Sequence, residues 1–316
     1  MKIDIVTGCD DGFAQHLAAM LLSLADTNPR HGFSIFIVWS GTSAEKDKLS
    51  QVLASTAFSF AFIEVGDDAF AGLSATLNIT KMTYSRLLIG DLLPREISRI
   101  LYLDGDIIVR GDIGELWTTD LRGKTLGAVA DLPKYPFNRT LGLPPEAPYF
   151  NAGVLLIDLK RWRELKIGER ALTFAREHQD RLRWWDQCAL NFVLHDDWVA
   201  LDRGWNFQSL DIGRFVNGYM RFGATDWRRL AAARLVHFNG PSKPWHYLND
   251  HPLKSEYLGY RSRTPWPLRR FEDRHPRTIV GKFVLRYAPG LLTAYGSLQK
   301  LIGRAERDVA PQDASG

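Results

Sequence analysis

A chain of 316 residues, 45% hydrophobic and 24% charged, has apolar material for one large core or two small ones, which excludes a disordered or fibrous protein. A formal net charge of +4 is only mildly basic, and no run reaches the roughly eighteen apolar residues that a membrane-spanning helix needs. The two cysteines, Cys9 and Cys188, lie far apart with no metal-ligand spacing, so small buried thiols in a reducing compartment are expected rather than a disulfide framework.

The first residues, Met-Lys-Ile-Asp-Ile-Val-Thr, carry an acid at the fourth position and read as a strand rather than a secretory leader. That strand is predicted to end at Thr7-Gly8-Cys9-Asp10-Asp11-Gly12. Phe13, Leu17, Met20, Leu21 and Leu24 then recur at helical spacing until Asn28-Pro29. A second strand over Phe33–Trp39, a helix over Ala44–Leu53 and the alternation of Phe58, Phe60 and Phe62 complete a strand-helix-strand-helix-strand order. That order predicts a parallel, doubly wound sheet, with ligands bound beyond the carboxyl ends of the strands. Thr83–Leu93 reads as a helix carrying Arg86 and closed by Pro94.

Arg99–Arg110 organises the chain. Two apolar runs, Ile100–Leu103 and Ile107–Val109, read as buried strands and flank Asp104-Gly105-Asp106. A desolvated pair of like charges at the mouth of a sheet is costly unless a cation neutralises it, and a hard divalent ion does so with oxygen ligands. Asp-x-Asp alone is a weak pattern, equally compatible with a solvated strand-end turn. Further on, Leu126–Asp131 reads as another strand ending in an acid, and the proline-rich Lys134–Pro148 as a surface loop of lid type. Phe150-Asn151-Ala152-Gly153-Val154 leads into an apolar strand. Helices are predicted around Leu159–Arg163, Gly168–His178 and Trp185–Leu194, the last opened by Asp186 and Gln187, before the polar, aromatic loop His237–His246. From about Tyr260 basic residues crowd the chain, and Val280, Phe283, Val284 and Tyr287 space an apolar helical face. Residues 1–259 are therefore read as a catalytic domain. Residues 260–316 are read as a helical, basic and aromatic tail that docks on a membrane surface or packs back on the domain, with no nucleic-acid reader motif.

In this order, the Asp10-Asp11 strand end, Met82-Thr83-Tyr84-Ser85-Arg86-Leu87, Leu101–Asp106, Gly127–Asp131, Phe150–Val154, Asp186-Gln187 and the His237–His246 loop resemble glycosyltransferase family 8. Within it they are most similar to bacterial lipooligosaccharide and lipopolysaccharide galactosyl- and glucosyltransferases. The resemblance implies a GT-A fold, a Rossmann-like, mostly parallel mixed sheet flanked by helices. It also implies a UDP-galactose or UDP-glucose donor, Mn²⁺ (with Mg²⁺ as the alternative ion), retention of the donor's α configuration, and a saccharide or glycolipid acceptor. A cytoplasmic location at the inner membrane face would follow.

By position, Asp104, Asp106 and His237 would hold the metal, and Lys243 would face the diphosphate, with Gly240 freeing the backbone beside it. Asp10 would accept the uracil N–H, and Arg86 would touch the donor sugar or orient Asp104. Gly105 would belong to the donor site, and Asp131, Asn151, Asp186 and Gln187 would hold sugar hydroxyls. For a double displacement Gln187 would be the best-placed residue, with Asp186 as the alternative, but a neutral amide is a poor nucleophile, so a front-face reaction is favoured in which Gln187 stabilises an oxocarbenium-like transition state. Each residue also has a bland reading: Asp131 as a turn former, Asn151 as a backbone partner, His237 as a core histidine, Lys243 as a surface lysine. Gly12, Asn78 and Cys188 depart from the family pattern near the ribose, the diphosphate or acceptor, and the Asp186-Gln187 pair. Transfer to a protein or polyol, a non-catalytic scaffold and a metal-dependent phosphohydrolase are the competing functions.

Overall fold

The structure, a computed structural model, describes residues 1–73, 81–131, 137–209, 214–216, 219–221, 223–266, 271, 273–276, 278–280 and 283. Of the positions singled out above, Asn78, the first part of the 134–148 loop and the tail from Val284 onward lie outside the described residues. The chain opens with β1 (Lys2–Asp10), α1 (Asp11–Thr27), β2 (Gly32–Ser40), α2 (Ser43–Ala54) and β3 (Ser59–Glu64), matching the predicted alternation. It continues through α3 (Ile89–Leu92), β4 (Arg99–Leu103), β5 (Ile107–Val109), α4 (Gly114–Trp117), β6 (Leu126–Ala130), α5 (Phe137–Leu141) and β7 (Phe150–Asp158). Then follow α6 (Leu159–Glu164), α7 (Ile167–Glu177), α8 (Trp185–Leu194), β8 (Trp198–Ala200), β9 (Phe207–Gln208), β10 (Arg214–Val216) and β11 (Tyr219–Arg221). The last described elements are α9 (Ala224–Ala232), β12 (Leu235–His237) and α10 (Lys254–Arg261).

Seven strands form one sheet in the order β3-β2-β1-β4-β7-β6-β8. All are parallel except β7, which runs antiparallel to both β4 and β6. The sheet is therefore mixed but mostly parallel. Its two faces follow from period-two alternation. Leu101, Leu103, Val154 and Leu156 pack with α1 and α2, whereas Ile100, Tyr102, Leu155 and Ile157 pack with α7 and α8 on the opposite side. Strands covered on both faces have no polar side, which is why they read as continuous apolar runs.

The two apolar runs around Asp104 and Asp106 belong to different sheets. β4 lies in the large sheet, while β5 joins β12 and β9 in a three-stranded sheet, so Asp104-Gly105-Asp106 is the crossing between them. The reversed strand β7 brings its amino-terminal end to the carboxyl ends of β4 and β6, pairing Leu103 with Val154 and Ala130 with Phe150. Acids at the ends of β1, β4 and β6 and the Asn151–Gly153 stretch thus collect along one edge.

Two segments differ from the reading of periodicity. Lys81–Leu87 is a 3₁₀ helix rather than the first turns of a helix running to Leu93, and only Ile89–Leu92 is α-helical. Met82, Tyr84, Ser85, Arg86 and Leu87 are all buried, so no amphipathic stripe selects the 3.6-residue period. The tighter winding stacks Thr83 directly over Arg86 at i and i+3. The 134–148 segment contains α5, and its described part is packed rather than loose. Leu141 and Leu143 are in the core, and the Asn138 amide donates to the carbonyls of Pro145 and Ala147 at 3.0 and 2.7 Å.

The polypeptide stays on the domain beyond α10. Arg261 is buried and donates to Gln15 of α1 and to the Trp266 carbonyl, and Trp266 is buried with the α1–α2 side of the core. Farther on, Ile279, Val280 and Phe283 are exposed. Both cysteines are free and buried. Among the described residues, no helix is long and apolar enough to cross a membrane.

Candidate active site

Three ligand-bearing side chains meet where the two sheets join. One carboxylate oxygen each of Asp104 and Asp106 and a ring nitrogen of His237 lie within 4.8 Å of one another. His237 arrives from a distant part of the chain because β12 pairs antiparallel with β5, setting His237 opposite Ile107. The Phe238 N–H then donates to the Asp106 carbonyl at 2.9 Å, fixing the two ligand-bearing turns together. His237 Nε2 stands 3.3 Å from Asp106 Oδ1 and 3.6 Å from Asp104 Oδ2.

Burial pushes the Asp106 carboxyl up, but Lys243 and His237 together hold it well below the usual carboxylate range. Lys243 Nζ donates to Asp106 Oδ2 at 2.6 Å and to the Phe238 carbonyl at 2.8 Å. The lysine therefore comes from the loop that follows β12 and lies against the acid pair. Gly240 in that loop has φ +89°, a conformation side chains disfavour, and open space where a Cβ would stand. Its requirement is conformational.

On the other flank Arg86 binds two acids. Its Nη2 donates to Asp104 Oδ1 at 2.9 Å, and its Nε lies 2.8 Å from Asp186 Oδ2 while donating to the Thr83 carbonyl at 3.1 Å. Burial works against the guanidinium charge, but Asp104 and Asp186 more than restore it and raise the pKa above its ordinary value. Tyr102, one alternation before Asp104 and on the same face of β4, donates its hydroxyl to Asp104 Oδ1 at 3.0 Å and lies under the Arg86 guanidinium. With Oδ1 so engaged, Asp104 turns Oδ2 toward His237.

Asp186 is buried, and burial pushes its carboxyl up to about 6 despite Arg86 and a 2.5 Å hydrogen bond from the Thr83 hydroxyl. It is the second residue of α8, after Trp185, whose φ of +36° is strained for a non-glycine residue. Gln187 accepts the Ala152 N–H at 3.0 Å and donates to Asp131 Oδ2 at 3.0 Å, spanning the ends of β7 and β6. Asn151 accepts the N–H of Gly153 at 3.0 Å.

Asp104, Asp106, His237, Lys243, Arg86, Asp186, Gln187, Asp131 and Asn151 are thus gathered at one edge. Asp10 lies at the end of β1, next to β4 in the sheet, where one oxygen of its carboxylate caps α1 by accepting the Phe13 N–H at 3.0 Å. A Cβ on Gly105 would make near-ordinary contact with Phe13 and Leu17, so sterics alone do not demand glycine there. Of the departing positions, Gly12 is exposed at the start of α1. The Cys188 thiol is buried beneath the Asp186-Gln187 turn and accepts from Tyr149 and the Trp184 N–H.

Four contributors escape a reading by residue type. Thr83 and Tyr102 hold acids by hydrogen bonds, and for Tyr102 the signal was present, since Tyr102 and Asp104 share a strand face. Gly153 makes room: a Cβ there would stand 2.2 Å from His237 Cε1 and 2.9 Å from Asp104 Oδ2. Asn206, fully buried, faces the His237 ring. Two carboxylates and an imidazole, cradled by a glycine whose missing Cβ leaves space for them, fit a divalent ion that accepts both oxygen and nitrogen ligands.

The fold and sequence have counterparts. General stress protein A of Bacillus subtilis is 31% identical over 83% of this chain and 94% of its own length. The lipopolysaccharide 1,3-galactosyltransferase of Salmonella typhimurium is 26% identical over 84% of this chain and 79% of its own. The galactosyltransferase LgtC, solved in complex with donor and acceptor sugar analogs, superposes with a TM-score of 0.72 at 26% identity, covering 89% of this chain and all of that one. The sheet and its flanking helices are accordingly of the GT-A type. The pattern common to glycosyl transferase family 8 matches residues 4–249, the stretch that supplies every group at the edge just described, and the chain belongs to that family.

Proposed function

We propose that the protein is a retaining hexosyltransferase that moves galactose or glucose from UDP to a glycan or glycolipid acceptor with the help of Mn²⁺. The observation that carries this reading is the convergence of Asp104, Asp106 and His237 beside Lys243. Asp104, Asp106 and His237 would hold the ion, which when bound stabilises the negative charge that develops on the departing diphosphate. Lys243 supplies a second positive charge to the same diphosphate, exchanging its contact with Asp106 for a phosphate oxygen. The free carboxylate oxygen of Asp10 accepts from the uracil edge, and Asp131, Asn151 and Asp186 receive or donate hydrogen bonds at the sugar hydroxyls.

In the transfer, the bond from the anomeric carbon to the phosphate oxygen breaks and a bond to the acceptor oxygen forms on the same face. The acceptor's hydroxyl proton passes to the departing phosphate oxygen. The Gln187 carbonyl oxygen, held by the Ala152 N–H, lends negative potential to the oxocarbenium-like centre. The exposed Ile279, Val280 and Phe283, within a basic stretch, would rest the enzyme on an anionic membrane surface where a lipid-linked acceptor resides.

A donor panel tests the reading. UDP-galactose and UDP-glucose are incubated with the protein and Mn²⁺, with and without saccharide or glycolipid acceptor, and products are identified by mass. Sugar transfer with UDP release supports it. Sugar appearing only on water favours a hydrolase, and no UDP release from any donor favours a non-catalytic scaffold.

A further inference from the structure

We infer that Asn206 is a positioning residue that fixes the imidazole of His237 in the tautomer able to ligate a metal. The inference deepens the metal-site reading above and rests on it. It starts from a group whose role cannot be reversed. The Gly153 backbone N–H is a donor only, and it lies 3.0 Å from the Asn151 side chain, so the atom it meets must be Oδ1. The same Oδ1 faces the Asn206 side chain at 2.8 Å, and two acceptors cannot pair, so Asn206 presents its NH₂ there. Its own Oδ1 is then left facing the His237 ring, 3.0 Å from Nδ1. An amide oxygen accepts only, so Nδ1 carries a proton, and Nε2, pointing at Asp104 and Asp106, is the nitrogen left for an ion.

Every member of this relay is buried, which gives it force. Asn206 is fully buried, and Asn151 and His237 nearly so. Reversing either amide would set oxygen against oxygen or nitrogen against nitrogen, and each such loss in a buried site costs about 1–3 kcal/mol. The 3₁₀ turn Arg203–Asn206 leads into β9, which pairs with β12 and sets Gln208 against His237. Sheet register therefore presses Asn206 onto the far side of the ring from the carboxylates. The arrangement is an amide–histidine pair behind a metal ligand, and such partners orient the ring and raise its basicity.

The test reads metal binding and proton position rather than turnover. Mn²⁺ alone is titrated into wild type, Asn206→Leu and Asn206→Asp, with the unbound ion followed by its paramagnetic resonance and folding checked by thermal melts. Asn206→Leu removes the acceptor and is expected to weaken Mn²⁺ binding by about 10- to 100-fold. Asn206→Asp keeps an acceptor for the Nδ1 proton but sets an oxygen against Asn151 Oδ1, so it is expected to melt below wild type while its Mn²⁺ affinity stays within about threefold. A purely structural role would lower both melting temperatures without separating the two metal affinities.

In parallel, long-range ¹H–¹⁵N spectra of histidine-labelled, metal-free protein are expected to show the proton on Nδ1 of His237. Equal affinity in wild type and Asn206→Leu, equal loss in both variants, or an Nδ1 without a proton each overturns the inference. If the wild type takes up no Mn²⁺, the functional reading falls, while the spectra still decide the tautomer.

Discussion

Replacing Gly153 by alanine tests whether the acid–imidazole cluster is built around a missing side chain. The new Cβ would sit 2.2 Å from His237 Cε1, 2.6 Å from Nδ1 and 2.9 Å from Asp104 Oδ2. The closest of these falls about 1 Å short of ordinary contact, too much for thermal give in a close-packed interior. Neither side yields easily. The Gly153 carbonyl accepts the Asp104 N–H at 2.9 Å, its N–H is held by Asn151, and the ring is held by Asn206. Overpacking of this kind costs about 1–3 kcal/mol, and each kcal/mol lowers the melting temperature by roughly 2–4 °C in a domain of this size. A displaced ring and carboxylate should also weaken Mn²⁺ binding by at least about tenfold. Thermal melts and Mn²⁺ titration are run beside Gly259→Ala, a helical glycine whose Cβ would meet nothing within 4 Å, as the neutral control. A Gly153→Ala protein with wild-type melting temperature and wild-type metal affinity would refute the reasoning.

Three further outcomes are expected. Gln187→Ala should cut turnover sharply while leaving the donor dissociation constant nearly unchanged, and a covalent sugar trapped on Asp186 or Gln187 would sink the front-face proposal. Asp186 binds its proton more tightly in the folded chain than in the unfolded one, because burial lifts its carboxyl from 3.8 to about 6. Folding stability gained from that proton is present at low pH and is lost as pH rises through about 6. Denaturant melts of wild type minus Asp186→Asn should therefore show a difference that declines from pH 4 to pH 7, and a difference that grows would contradict it. Changing Ile279, Val280 and Phe283 together to serine should release the protein from anionic vesicles and spare transfer to a water-dissolved acceptor. Unaltered vesicle binding would exclude this surface as the docking face. Truncation at residue 261 is the poorer experiment, since it would remove Arg261 and Trp266 from their packing on the core.

Much of the scaffold was legible because its signals are local. The strand-helix order of β1 to β3, helical spacing in α1, and the short apolar runs of β2, β4, β5 and β7 follow from which faces of an element meet the core. The alternation of Phe58, Phe60 and Phe62 does not mark a buried face, since Phe60 on β3 is exposed. Asp104 and Asp106 were legible as a pair at a strand end, and Asp186-Gln187 as the opening of a helix. The tight winding around Arg86 was not. It goes with the burial of Met82, Tyr84, Ser85, Arg86 and Leu87 and with the contacts of Arg86 to Asp104 and Asp186, neither of which is near it in the chain.

The sequence by itself determined the layered sheet, the acid pair at its edge and the ordered motifs that mark the family, because periodicity and short spacing survive without coordinates. Only the tertiary structure decided that β7 runs backward, that His237 is carried to the acids by a second small sheet, and that Lys243 lies on Asp106 while Arg86 bridges Asp104 and Asp186. It also decided that Gly153 leaves the room and that Asn206 sets the ring. These are contacts between residues tens to more than a hundred positions apart. They depend on strand register, on the direction of buried amides and on where a Cβ is absent, and no local pattern encodes any of the three.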